Sequence, residues 1–202
     1  MNTPTKLPLL GLNGITLRSG AHHDREEGVC AMEAAAWMAG EPHSDKPKCV
    51  CPVIGAFMRS WNDGLRTDED RNRILKPLLP LTIGTRATQE VEKRRSQLAY
   101  DWVLRVYTLA WLEAAKLDEH AKAVRENPSL ENLSAAESAA RSAAESAAES
   151  AAWSAVRSAV RSAAESAAWS AVRSAAESAL RDVETKLQES AADLLRRMVE
   201  CK

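Results

Sequence analysis

The chain has 202 residues, of which 45% are hydrophobic and 27% charged, and its formal net charge is -1. These fractions exclude wholesale disorder, and the balanced charge excludes a general phosphate-binding surface, so nucleic-acid binding is not expected. No apolar run of about 18 residues and no signal-peptide pattern occurs, so we expect no membrane span and a cytoplasmic location.

The first predicted helix follows a loop rich in glycine and proline. Residues 1–23 predict this loop, with one short extended piece at 14–18. Asp24 then precedes three charged residues and an alanine-rich run, and Gly40 follows the run. This is the pattern of a capped helix, so we predict Asp24 as its N-cap. Residues 41–50 contain two prolines and no periodicity, which predicts a surface loop.

Two shorter helices are predicted next. Pro52 suits the first position of a helix, and the apolar residues after it share one face until Asp63 and Gly64 end the pattern. Thr67 with Asp70 three residues later resembles a capping box, which predicts a helix that Pro77 closes.

The longest helix of this part is predicted over 89–117, with Thr88 as its cap. Its inward stripe is predicted to comprise Val91, Leu98, Trp102, Val106, Leu109 and Leu112 or Trp111. The cluster Lys93, Arg94 and Arg95, beside Arg86, is interpreted as a solvated basic face. A short helix is predicted over 118–126, and it stops before Pro128.

A repeat dominates the rest of the chain. From Ser134 to Arg181 there are twelve uninterrupted copies of Ser-Ala-X-Z, in which X is Ala, Val or Leu and Z is Glu, Arg or Trp. Neither Gly nor Pro occurs between Ser129 and Lys202, and alanine has the highest helix propensity. We therefore predict one very long helix over 128–202, either straight or folded into a hairpin.

The large residues of the repeat predict two contact faces. Each column of a four-residue repeat drifts by about 40° per copy, so this is not a heptad coiled coil. The two faces are Trp153, Val156 and Val160, and then Trp169, Val172 and Leu180. Exposed indoles favour association, so we expect a homo-oligomer. The alternative is a solvated spacer helix that arose by expansion of a tandem DNA repeat.

Four residues within a span of 22 are candidate metal ligands: Cys30, His43, Cys49 and Cys51. Thiolate and imidazole are the ligands that zinc prefers, so a zinc site is one interpretation. The spacing of Cys49 and Cys51 is tight for a single ion, and reduced thiols, some of them buried, are the favoured alternative. No other cofactor is expected.

Candidate acid-base residues lie in the same region. Glu33, Glu41, His43 and Asp45 would form such a group if the loop folded onto the first helix, and His22, His23 and Asp24 form another candidate. No nucleophile elbow, zinc-protease, P-loop or dinucleotide motif occurs. We therefore assign no catalytic residue, and an enzyme is not favoured.

The sequence CAMEAAAWMAGEPHSDKPKCVCPVIGAFMRSWNDGL, joined to the tetrad repeat and the ending ESAADLLRRMVECK, resembles a family of uncharacterised proteins of bacteria and their phages. No activity is known for that family. The resemblance implies a bacterial or phage setting and a separable N-terminal unit.

These observations predict an all-α protein with a helical globular domain at 1–127 and a repeat helix at 128–202. The leading hypothesis is a non-enzymatic interaction or assembly protein, a phage or mobile-element accessory that oligomerises through its repeat and binds a host protein. The alternative is a small zinc-binding or nucleic-acid-associated regulator. A third hypothesis is a hydrolase that uses Glu33, His43 and Asp45.

Overall fold

The computed structural model describes residues 11–126, except 13 and 115, and residues 164–202; of 164–179 it describes the backbone alone. The all-α prediction is confirmed, since these residues form helices and no strand. Their only sheet-like pairing is an isolated bridge between Leu17 and Val29. None of the helices in this part of the chain has the length and apolar character needed to span a membrane.

The helices follow one another closely along the chain. In order they are α1 (Ala31–Met38), α2 (Pro52–Gly64), α3 (Asp68–Leu75), a 3-10 turn (Lys76–Leu78), α4 (Leu79–Thr82), α5 (Gln89–Trp102), a π-helical segment (Val103–Thr108), α6 (Leu109–Ala114), α7 (Asp118–Glu126) and α8 (Ala164–Glu200). Part of the predicted repeat helix is therefore present as α8. Its predicted continuation over 128–163 lies outside the described residues.

The described residues divide into two compact units, the first of which combines two stretches that are not adjacent in sequence. Unit 1 lies within residues 1–99 and 192–202, and unit 2 lies within residues 100–191. The last residues of α8 thus belong to the same unit as the first half of the chain. The domain division predicted at residue 127 falls outside the described residues and stays a prediction.

The start of α1 differs from the prediction. The helix begins at Ala31, and its N-cap is Cys30, whose Sγ accepts a hydrogen bond from the backbone N–H of Glu33. Asp24 instead accepts hydrogen bonds from the N–H groups of Glu26 and Glu27, which closes a turn. Gly28 separates the turn from the helix, because its φ of 143° is incompatible with helical continuation.

The starts of α2 and α3 agree with the prediction. Pro52 occupies the first position of α2, where its missing N–H costs nothing. Thr67 caps α3 by accepting a hydrogen bond from the N–H of Asp70. Arg71 closes the turn between the two helices, since its buried guanidinium donates to the carbonyl oxygens of Asn62 and Leu65.

The inward stripe predicted beyond Trp102 is wrong at Val106, whereas Leu109 packs against the core of unit 2 as predicted. Val106, predicted to face inward, is 37% exposed, whereas Leu104 and Thr108 are buried. The cause is the π-helical segment, in which hydrogen bonds span five residues and each turn therefore holds more residues than in an α-helix. Leu112 of α6 is buried again, and its core in unit 2 includes Ala121 and Val124 of α7.

The core of unit 1 is completed by the last turns of α8. Leu194, Leu195 and Met198 are fully buried, as are Met32 of α1 and Ile54 of α2. The Ala-rich sequence of α1 allows close approach of its neighbours α2 and α4, because small side chains shorten the distance between helix axes. Apolar residues from the first half of the chain and from its last turns are thus buried in the same compact unit.

A buried guanidinium holds the end of α8 in unit 1. Arg95 of α5 is 4% exposed, and it donates to the carbonyl oxygens of Met198 (2.7 Å), Cys201 (3.0 Å) and Thr85 (2.5 Å). The final carbonyls of a helix have no partner within the helix, so this side chain supplies one. The interpretation of Arg95 as part of a solvated basic face is therefore wrong, whereas Arg94 is exposed.

We expect Arg95→Met to lower the free energy of unfolding by about 3 kcal/mol, because it leaves buried carbonyl oxygens without donors. Arg94→Met removes the same charge from an exposed neighbour and should leave stability unchanged. Chemical denaturation followed by circular dichroism measures both. Equal stability of the two variants would contradict the role assigned to Arg95.

Candidate functional site

The loop before α1 and the loop after it both fold onto Glu33. This carboxylate is 2% exposed, and it accepts hydrogen bonds from the backbone N–H of His22 (2.8 Å), from the Nδ1 of His22 (2.9 Å) and from the backbone N–H of Cys30 (2.7 Å). The bond to Cys30 completes a capping box at the start of α1. One carboxylate thus serves the helix terminus and the preceding loop.

His43 approaches the same carboxylate from the other loop. Its Nε2 lies 3.0 Å from the carbonyl oxygen of His22 and 3.8 Å from Oε1 of Glu33. The contact with a carbonyl oxygen requires a proton on Nε2, which assigns the tautomer. The predicted proximity of Glu33 and His43 is therefore present, because the loop at 41–50 does fold onto α1.

The electrostatics of this cluster favour an ionised Glu33. Burial by itself raises the pKa of this carboxyl, but the hydrogen bonds from the backbones of His22 and Cys30 and from the His22 ring outweigh it. The net result is a pKa below the ordinary value of 4.5. The carboxylate is consequently a charged group in the interior with three donors aimed at it.

This arrangement fits a structural role better than acid-base catalysis. A general base must come within hydrogen-bond distance of a substrate proton, yet the side chain of Glu33 is 1% exposed. The other predicted members lie apart from it. Glu41 accepts from the backbone N–H groups of Lys48 and Cys49, and Asp45 faces Arg59 at 3.6 Å.

The candidate pair of adjacent histidines is split by the fold. His22 belongs to the Glu33 cluster, whereas His23 is exposed and lies 3.9 Å from Asp24. The sequence analysis grouped His22 with His23 and Asp24, whereas in the structure the ring of His22 contacts Glu33.

The three candidate thiols have three different surroundings. Burial raises the pKa of Cys30 to about 12, and burial with a hydrogen bond to Glu41 raises that of Cys49 to about 11. Cys51 is buried, and its N–H donates to Oγ1 of Thr85. In the absence of a metal ion, the thiols of Cys30 and Cys49 are therefore protonated at neutral pH.

Within the described part of the chain, no three His, Cys, Asp or Glu side chains are placed to hold a metal ion. The structure thus gives the predicted zinc site of Cys30, His43, Cys49 and Cys51 no support.

The predicted interaction residues are described only in part. Trp153, Val156 and Val160 lie outside the described residues, and Trp169 and Val172 lie in α8, where the backbone alone is described. Leu180, also in α8, is 38% exposed.

Sequence reasoning missed the buried amide of Asn62. Its Oδ1 accepts from the N–H of Ala31 (3.2 Å) and its Nδ2 donates to the carbonyl oxygen of Arg18 (2.8 Å). Asn62 directly follows Trp61, the last residue of the apolar face of α2, and this position was the available signal. It was missed because a polar residue there was interpreted as part of the helix end.

Comparison of the chain with protein-family models, with curated proteins and with solved structures finds no match. The function is therefore argued from the residues of this chain.

We expect the stability of the protein to fall as the pH is lowered below about 4.5. Because the pKa of folded Glu33 lies below 4.5, its contribution is present above that pH and is lost as the pH falls through the folded value. Glu33→Gln should be less stable at pH 7 by about 2 kcal/mol and should show a shallower acid dependence. Urea denaturation at a series of pH values measures both.

The matched control is Glu26→Gln, a change at an exposed carboxylate in the same loop. It should leave the stability and its acid dependence as in the unmodified protein. An acid dependence of Glu33→Gln identical to that of the unmodified protein would show that Glu33 does not titrate with folding.

Proposed function

We propose that this protein is a non-enzymatic helical interaction and assembly protein, which associates with further copies of itself through its repeat helix. The observation that carries the proposal is the attachment of one end of α8 to unit 1, where Leu194, Leu195 and Met198 fill the core.

The change in burial along α8 supports this proposal. Arg181 and Asp182 are exposed and Leu180 is 38% exposed, whereas Leu187 and Ala191 are buried. Among the side chains that are described, from residue 180 onward, the helix thus becomes more covered by its own chain towards its C-terminal end. An exposed leucine at an X position of the repeat is a contact available to a partner helix.

The composition of the repeat supports close packing of helices. Serine and alanine occupy two or more positions of every copy, and such small side chains bring helix axes towards the lower end of the range of about 8 to 10 Å. The Z column alternates in sign at Glu137, Arg141 and Glu145, which offers pairing partners along a helix and between helices.

The finer parts of the proposal rest on the sequence. A bacterial or phage setting follows from the resemblance, and binding of a host protein by residues 1–127 is part of the leading hypothesis; both stay predictions. The cytoplasmic location also stays a prediction.

Deletion of residues 134–161, which removes seven whole tetrads, should lower the molar mass of the particle well beyond the mass removed. The deletion leaves α8 intact, together with the two stretches that form unit 1, residues 1–99 and 192–202. Light scattering after size-exclusion chromatography measures the mass, and a retained cooperative melt shows that unit 1 is folded. An unchanged number of copies would contradict assembly through the repeat.

Trp153→Glu and Trp169→Glu should each weaken self-association by about tenfold or more, because burial of a large apolar side chain contributes about 1.5 to 3 kcal/mol. Sedimentation equilibrium measures the dissociation constant. Arg161→Glu is the matched control, since it places the same carboxylate in the same column of the repeat. Equal effects of all three variants would indicate a response to charge and not to the indoles.

A further inference from the structure

A cavity of about 380 Å³ in unit 1 is distinct from the Glu33 cluster. Three cations line it, Lys46, Arg59 and Arg86, and its apolar wall includes Pro47, Val50 and Gly55. No carboxylate is among the lining residues that the structure describes. The protein as a whole has a formal net charge of -1, so this concentration of positive charge is local.

The two guanidinium groups of the cavity keep donors available. Nε of Arg59 lies 3.6 Å from Asp45, and Nε of Arg86 lies 3.8 Å from Glu92. Both distances exceed the range of about 2.7 to 3.2 Å that is typical of a hydrogen bond, so neither Nε atom is hydrogen-bonded to the carboxylate beside it. Nη1 of Arg59 donates to the backbone carbonyl of Asp45 at 2.8 Å, which holds this side chain in place.

Gly55 of α2 lies beside Arg59 at the wall of the cavity. A Cβ atom at this position would stand 3.4 Å from Nη1 of Arg59 and 3.9 Å from Cγ1 of Val50, which are ordinary van der Waals distances. The guanidinium of Arg59 thus packs along the backbone of the helix that forms this wall.

We propose that this cavity binds the phosphate group of a small phosphate monoester, with the organic part of the ligand against Pro47 and Val50. Lys46 and the planar guanidinium forks of Arg59 and Arg86 offer donors to the oxygen atoms of a phosphate dianion, and the loose pairs of Arg59 with Asp45 and of Arg86 with Glu92 leave the cavity with excess positive charge. The volume lies near the lower end of the range of about 300 to 1,000 Å³ for small-molecule pockets. A compact ligand is therefore the occupant that the dimensions favour.

The test uses phenyl phosphate, inorganic phosphate and phenol as probes, titrated into the full-length protein at low salt by calorimetry. Phenyl phosphate should bind one site with a dissociation constant below about 1 mM, inorganic phosphate should bind more weakly, and phenol should not bind. Absence of phenyl phosphate binding, or equal binding of phenol, would overturn the proposal.

A charge-matched pair of variants locates the site. Lys46→Gln/Arg86→Gln removes two exposed cations of the cavity and should weaken phenyl phosphate binding by about tenfold or more. Lys48→Gln/Arg94→Gln removes two exposed cations of unit 1 that do not line the cavity, and it should change binding by less than about twofold. Equal weakening by both pairs would show non-specific attraction to the surface and would overturn the proposal.

Discussion

The fold of unit 1 depends on one buried cation. Arg95 brings together backbone carbonyls from residues 85, 198 and 201, which belong to the segment before α5 and to the end of α8. Its partners are neutral dipoles, and two of them lie at the C-terminal end of a helix, where the partial charge is negative. The charge is therefore stabilised without a carboxylate at these three contacts. The apolar contacts of Leu194 and Met198 depend on the same placement of the helix end.

Polar side chains replace secondary structure elsewhere in this unit. The segment from residue 17 to residue 30 forms no regular element beyond one bridge, so its backbone groups need partners from side chains. The side chains of Glu33, Asn62 and Asn72 supply these partners. They bond the backbone of His22, Arg18 and Leu17, respectively. Glu33, a candidate acid-base residue by its type, is thus used to hold a loop in place, and its side chain is 1% exposed.

The sequence predicted most of the helices and less of their contacts. Local chemistry decided the starts of α2 at Pro52 and of α3 after Thr67, since the capping interactions involve residues adjacent in sequence. The prediction of Asp24 as a helix cap is wrong because the backbone conformation of Gly28 interrupts the helix. The prediction that Val106 faces inward is wrong because the π-helical segment changes the number of residues per turn. Arg95 left a signal, since it lies four residues after Val91 and three before Leu98, on the predicted apolar stripe. Two of its three carbonyl partners, those of Met198 and Cys201, are about 100 residues away and could not be read from the sequence.

The shared core of unit 1 has a consequence for biosynthesis. Residues 1–99 leave the ribosome while Leu194 and Met198 are still to be translated, which at typical elongation rates takes roughly 5 to 20 s. Throughout that interval the interior of the unit lacks the side chains that close it. A frameshift within the repeat replaces both residues, so completion of the unit 1 core requires that the repeat be translated in frame.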